Sequence, residues 1–167
     1  MMKRFLPALL FALILVIPAF AETEAEFEAR LVEATDSSTP TVVHIWASWC
    51  HNCIVEFQDG GWPDFIKENP EIKFIFISTW GSDKDDVGLL GRHGITTKDL
   101  PNLEIWRHPN QSSREGQRAE SLLGVRFTWM PTTWVVRDTR MRYAINYGEV
   151  RFDMLQQMIK DSHSGQW

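Results

Sequence analysis

Val42-Val43-His44-Ile45-Trp46-Ala47-Ser48-Trp49-Cys50-His51-Asn52-Cys53 decides how this 167-residue chain folds. Together with Thr41, its first part is rich in β-branched and aromatic residues and apolar almost throughout to Ala47. Such a continuous run suits a central strand buried on both faces. A helix is expected from about Cys50 to Gln58, so the two cysteines sit where a buried strand turns into a helix. A thiol at a helix N-terminus meets the positive end of the dipole and unsatisfied backbone N–H groups, and both stabilise the thiolate. Free cysteine has a pKa of about 8.5, and C-x-x-C contexts lower it to roughly 3.5–7.5. Cys53, one turn further in, is expected to be less exposed and to resolve a mixed disulfide formed at Cys50.

Outward from this centre, residues 22–35 are good helix formers, with Phe27, Leu31 and Ala34 at helical spacing. Residues 36–40 break that helix. Downstream, Gly60-Gly61-Trp62-Pro63 interrupts the second helix, and a short further piece runs to Lys67. Ile72–Thr79 reads as a second buried strand. Ser82-Asp83 offers an N-cap for a helix through about Arg92, ended by Gly94. Leu103–Arg107 is a further strand, residues 108–116 are polar loop, and Arg118–Leu123 is expected to be a short helix ending at Gly124. After Met130-Pro131, strands at Thr133–Arg137 and Arg142–Tyr147 are joined by the polar turn Asp138-Thr139-Arg140. Phe152–Lys160 closes as a helix with Phe152, Leu155 and Ile159 on one face. This order implies an α/β sandwich with parallel strands and a terminal antiparallel hairpin.

The N-terminus has its own grammar. Met1-Met2-Lys3-Arg4, an apolar run from Phe5 to Ile17, Pro18 and the triplet Ala19-Phe20-Ala21 read as a secretory signal peptide cleaved after Ala21. The apolar core of 13 residues is shorter than a spanning helix needs, which weighs against an uncleaved membrane anchor. Residues 1–21 are thus assigned as signal peptide and 22–167 as one domain. Losing Lys3 and Arg4 moves the formal charge from -5 to -7. A mildly acidic domain has no electrostatic reason to seek nucleic acid.

Only two cysteines occur, three positions apart. An exported protein using structural disulfides would spread them along the chain, so the pair reads as a site. A structural zinc would want four ligands, and His44, His51, His93, His108 and His163 are scattered. Haem attachment needs histidine directly after the second cysteine, where Ile54 stands. A plain structural disulfide remains open, although closing so small a loop stabilises little.

The run from Val42 to Cys53 resembles the active-site strand and turn of thioredoxin-like proteins, and its W-A-S-W-C-x-x-C form is similar to the exported TlpA/ResA group. Gly124-Val125…Met130-Pro131-Thr132-Thr133-Trp134-Val135-Val136 is similar to that group's cis-proline segment and following strand. The 77 residues between Cys53 and Pro131 suit a TlpA-like β–α insertion, and Arg142–Gly148 resembles the last strand and its closing glycine. The resemblance implies a thioredoxin-like three-layer sandwich with a central mixed sheet. It implies that Cys50 and Cys53 are catalytic, and that a redox-active disulfide between them replaces any cofactor or metal. Pro131 should be cis and lie against the pair, with Met130 and Trp49 as substrate contacts. His44 occupies the position where thioredoxin carries a buried aspartate, and is expected as a proton relay titrating near neutrality or as a satisfied core histidine. His51 would tune the Cys50 thiolate, and Glu56, three residues after Cys53, would tune acidity or relay protons; a solvated helix glutamate is the alternative. Phe57-Gln58-Asp59-Gly60-Gly61 replaces the group's nearby proline, which leaves the helix beyond Glu56 open.

The function implied is an exported thiol–disulfide oxidoreductase in the periplasm, favoured as a reductant of cysteine-bearing exported proteins, apocytochrome c among them. It would be served by a membrane or periplasmic redox partner. The alternatives are a disulfide oxidase or isomerase, and a Cu(I)-binding chaperone using the same cysteines.

Overall fold

Thr41–Trp46 form strand β1, and all six residues are buried. In the computed structural model, which describes residues 21–81, 85–146 and 150–163, β1 is the middle strand of a five-stranded sheet. The expected signal peptide therefore lies outside the described residues except for Ala21, as do the Ser82-Asp83 cap and the Tyr147-Gly148 strand end. Strand β2 (Lys73–Ser78) pairs with β1 in parallel, and β3 (Leu103–Arg107) pairs in parallel with β2. On the other side, β6 (Thr132–Arg137) and then β7 (Arg140–Ile145) add antiparallel strands, giving the order β3-β2-β1-β6-β7. The sheet is mixed, with the expected antiparallel hairpin at its end.

Alternation along these strands feeds two separate cores. Val42, Trp46, Phe74, Phe76 and Val135 face one layer, built by helices α2 (His51–Gln58), α3 (Gly61–Glu68), α4 (Asp86–Gly91) and α5 (Phe152–His163). Val43, Ile45, Ile75, Ile77, Trp134 and Val136 face the other. There they meet Phe27 and Leu31 of helix α1 (Glu24–Thr35), together with Trp80, Trp106, Leu122 and Phe127. Helix α1 starts on a capping box: Thr23 accepts from the Glu26 amide, and the Glu26 carboxylate accepts from the Thr23 amide. Between α2 and α3 the break is two residues, Asp59 and Gly60, and Gly60 stands at φ +74, where the left-handed conformation favours glycine. Pro63 falls in the first turn of α3, where its missing N–H costs nothing.

The segment after β3 corrects the sequence expectation. Arg118–Leu123 is not a helix; Ser121–Leu122 (β4) and Val125–Arg126 (β5) form a two-stranded hairpin. Leu123 and Gly124 both take positive φ, 52° and 70°, the two-residue turn that matches strand twist. Helix-forming composition loses here to tertiary contacts. Ala119 and Leu122 are buried in the α1-side core, and the Glu28 carboxylate accepts from the Leu123 amide. The closing hairpin likewise turns in two residues, Asp138 and Thr139, at φ 51° and 60°, so β7 begins at Arg140. Amides of Asp138 and Thr139 bond the carbonyls of Ser37 and Thr35, docking this turn on the end of α1.

Candidate active site

Beyond Trp46 the chain leaves the sheet through Ala47, Ser48 and Trp49 and enters α2 at Cys50. The Cys50 amide bonds the Ala47 carbonyl at 3.0 Å. Cys50 itself is the N-cap of α2, with an extended backbone, and its Sγ accepts from the Cys53 amide at 3.3 Å. Cysteine thereby does at this helix start what serine or aspartate does elsewhere. The two cysteines are joined as a disulfide, their Cα atoms 5.3 Å apart. Cys50 is 6% exposed and Cys53 fully buried, so Cys50 is the more accessible of the two sulfurs.

Under the helix lies a buried polar cluster set among aromatic rings. His44 Nδ1 is 2.9 Å from Thr133 Oγ1 on β6 and 4.0 Å from Glu56 Oε1. Glu56 is buried beside Cys53 on α2, and its Oε1 accepts from Trp62 Nε1 at 2.7 Å. The His44 ring packs against Phe76 at 4.8 Å, Trp62 at 4.9 Å and Phe57 at 5.7 Å. His44 Nε2 has no hydrogen-bond partner among the described residues. Burial in this pocket pushes the imidazole pKa down to about 3. His44 is therefore neutral throughout the physiological range, and the expectation that it titrates near neutrality is corrected. Desolvation of the charged form outweighs the nearby carboxylate. Glu56 is not the solvated helix glutamate that was its alternative reading.

His51 and Asn52 are exposed on the first turn of α2. The Met130–Pro131 peptide is cis, and Pro131 is buried. Thr132 pairs with Ile45, so Pro131 falls at the end of the sheet where β1 leads into the Cys50 turn. Met130 packs partly into the core that contains Cys50 and Cys53. Two tryptophans flank this end with open faces: Trp49 is 57% and Trp129 61% exposed.

Trp80, Trp129, Trp62 and Thr133 were not singled out from the sequence. Trp80 is the most consequential of these, because its carbonyl accepts the Trp49 indole N–H. Its place offered a signal, since loops at the carboxyl ends of adjacent parallel strands gather where such sheets build sites. Ser48, Trp49, Gly81, Asp85, Leu89 and Arg92 line an open groove of about 380 Å³ on that side of Trp49. Among the described residues, no three His, Cys, Asp or Glu side chains are grouped to hold a metal ion.

No protein-family model matches the sequence, and no curated protein matches it. Solved structures do. The thioredoxin-related protein of Neisseria meningitidis serogroup B aligns over 75% of this chain and 86% of its own, at 22% identity and TM-score 0.51. The exposed lipoprotein thioredoxin Etrx1 of Streptococcus pneumoniae aligns over 78% and 89%, at 18% identity and TM-score 0.51. StoA from Bacillus subtilis aligns over 75% and 85%, at 16% identity and TM-score 0.50. The chain has the thioredoxin-like fold. In thioredoxin-like terms, β1 and α2 are the strand and helix that carry the cysteine pair, and β6 follows the cis-proline. The segment between β2 and β6 is the expected insertion, which supplies α4 and the edge strand β3. Among the described residues, no helix is long and apolar enough to cross a membrane.

Proposed function

We propose that this chain is a protein thiol–disulfide oxidoreductase working through Cys50 and Cys53. One observation carries the reading: Cys50 is the N-cap of α2, its sulfur accepting the Cys53 amide, in disulfide with a buried Cys53. A helix start stabilises negative charge on that sulfur, so Cys50 is a good leaving group from the disulfide and a nucleophile when reduced. In the reducing direction the Cys50 thiolate attacks a partner's disulfide, forms a mixed disulfide and releases one partner thiolate. Cys53 then loses its proton and attacks Cys50 Sγ, releasing the second partner thiolate. Two electrons pass to the partner, and the Cys50–Cys53 disulfide returns to the form seen here.

The export signal read from the sequence of residues 1–21 supports a periplasmic place, with residues 22–167 as the working domain. The direction we favour is reduction of cysteine-bearing exported proteins, apocytochrome c included, with electrons supplied by a membrane or periplasmic dithiol. Trp49, Met130 and Pro131 are assigned to partner binding. His51 and Glu56 are assigned to tuning the cysteines, and His44 to packing beside Glu56 as a neutral group hydrogen-bonded to Thr133.

Equilibration with glutathione redox buffers followed by thiol trapping tests the proposal. A pair that reduces and reoxidises reversibly supports it, and a pair inert to glutathione ends it. The midpoint sets the direction: about −270 mV marks a reductant, and about −120 mV an oxidant. Cys53→Ser should strand partners on Cys50 and identify them.

A further inference from the structure

We propose that Trp80 and Arg118 are positioning residues that fix Trp49 beside the cysteine pair, so that the segment between β3 and β6 controls access to Cys50. The inference deepens the thiol–disulfide reading above and rests on it.

Trp49 is 57% exposed, so packing alone leaves its indole free to turn. What orients it is the hydrogen bond from its Nε1 to the Trp80 carbonyl. The aim of that carbonyl depends on Trp80 standing at φ 56°, a region that a bulky residue enters only when its surroundings hold it there. Three contacts do so. Trp80 Nε1 donates to the Ala119 carbonyl. Phe127 stacks on the indole at 5.4 Å with planes 20° apart. The Arg118 guanidinium lies 4.0 Å over the ring, a cation–π arrangement. Arg118 is itself steadied by Glu120 at 3.3 Å, and Glu120 is also bridged by Arg126 at 2.9 Å.

All of these anchors come from residues 118–127, the β4–β5 hairpin and its approach. The chain of contacts runs Arg118, Trp80, Trp49 and then, through one peptide bond, Cys50. Gly81 follows Trp80 at φ +74 and lines the groove beside Trp49, so the same backbone turn shapes both the tryptophan's seat and the groove wall. Arg118 touches neither sulfur; it acts through Trp80.

The test uses the reduced full-length protein labelled with 5-fluorotryptophan, the Trp49 resonance being assigned by its loss in Trp49→Phe. Arg118→Gln should move that ¹⁹F line and change the rate of Cys50 alkylation by iodoacetamide about two- to fivefold, the low end of the range for one cation–π contact. Arg118→Lys, which keeps a cation for the ring, should restore most of both. In a Trp49→Phe background, Arg118→Gln should leave the alkylation rate and its pH profile unchanged. An unmoved Trp49 line, or the same rate change in both backgrounds, overturns the proposal. Trp80→Phe, which removes the bond to Ala119, supplies a second variant judged by the same two readouts. A wild-type pair that does not exchange with glutathione would end the functional reading instead, while the ¹⁹F line would still decide whether Arg118 positions Trp49.

Discussion

The two faces of the central sheet draw alternate residues from the same strands, yet they bury different things. The face under α2, α3 and α5 holds His44, Glu56 and Thr133 among aromatic rings, next to the layer that contains Cys53. The face under α1 is filled by Phe27, Leu31, Ile45, Ile77 and Trp134, and the indole N–H of Trp80 finds a carbonyl there. Burying polar groups costs stability unless each is satisfied, and an apolar layer carries no such cost. One face thus holds the buried polar cluster and the cysteine pair, and the other supplies rigidity to the strand that presents them and a seat for Trp80.

That division can be broken at its strongest point first. Cys53→Ser should remove exchange turnover and leave a persistent mixed disulfide on Cys50, visible as adducts on non-reducing gels, with the fold intact by circular dichroism. Phe27→Ala, on the opposite face, should cost about 3–5 kcal/mol in urea unfolding. Its folded form should keep the wild-type Cys50 alkylation rate; a changed rate would mean that the α1-side core reaches Cys50 by a route other than Trp80.

His44 sharpens the comparison through pH. Its pKa is about 3 when folded against 6.5 for a free imidazole, so below pH 6.5 the unfolded chain takes up a proton that the folded chain refuses. Stability from this residue is fully present above 6.5 and falls by up to about 1.4 kcal/mol per pH unit towards the folded value. His44→Leu should flatten the stability curve by that slope between pH 6 and 4, whatever it does to stability at pH 7. An unchanged slope would mean that the imidazole is not held neutral. The smallest effect expected is at the other face: Thr23→Ala removes the cap of α1 and should cost about 1 kcal/mol, with no change at the cysteines.

The strand–turn–helix around Cys50 was legible because its signals are local: an apolar run, two cysteines one turn apart, and a change of period between them. The remaining strands of the central sheet, β2, β3, β6 and β7, were legible as elements along the chain for the same reason. Arg118–Leu123 misled because its composition favours a helix, while its conformation is settled by Trp80, Glu28 and the α1-side core, which are distant in sequence. His44 misled in another way. Its position suggested a titrating group, but its pKa is set by Phe57, Trp62 and Phe76, which three different elements bring around it. Trp80 was passed over because what it contributes to the site is a backbone carbonyl, and no side-chain pattern announces that.

The sulfur at the start of α2 has an effect that runs in the opposite direction, from electrons to backbone. An anionic sulfur accepts an amide hydrogen more strongly than a disulfide sulfur does, so reduction and ionisation at Cys50 should tighten the first turn of the helix. Hydrogen exchange at the Cys53 amide should then slow on reduction at neutral pH, and the added protection should vanish once the thiolate is protonated in acid. The opening turn of α2 would report the protein's electron count, and anything that clamped that turn would in return favour the reduced state.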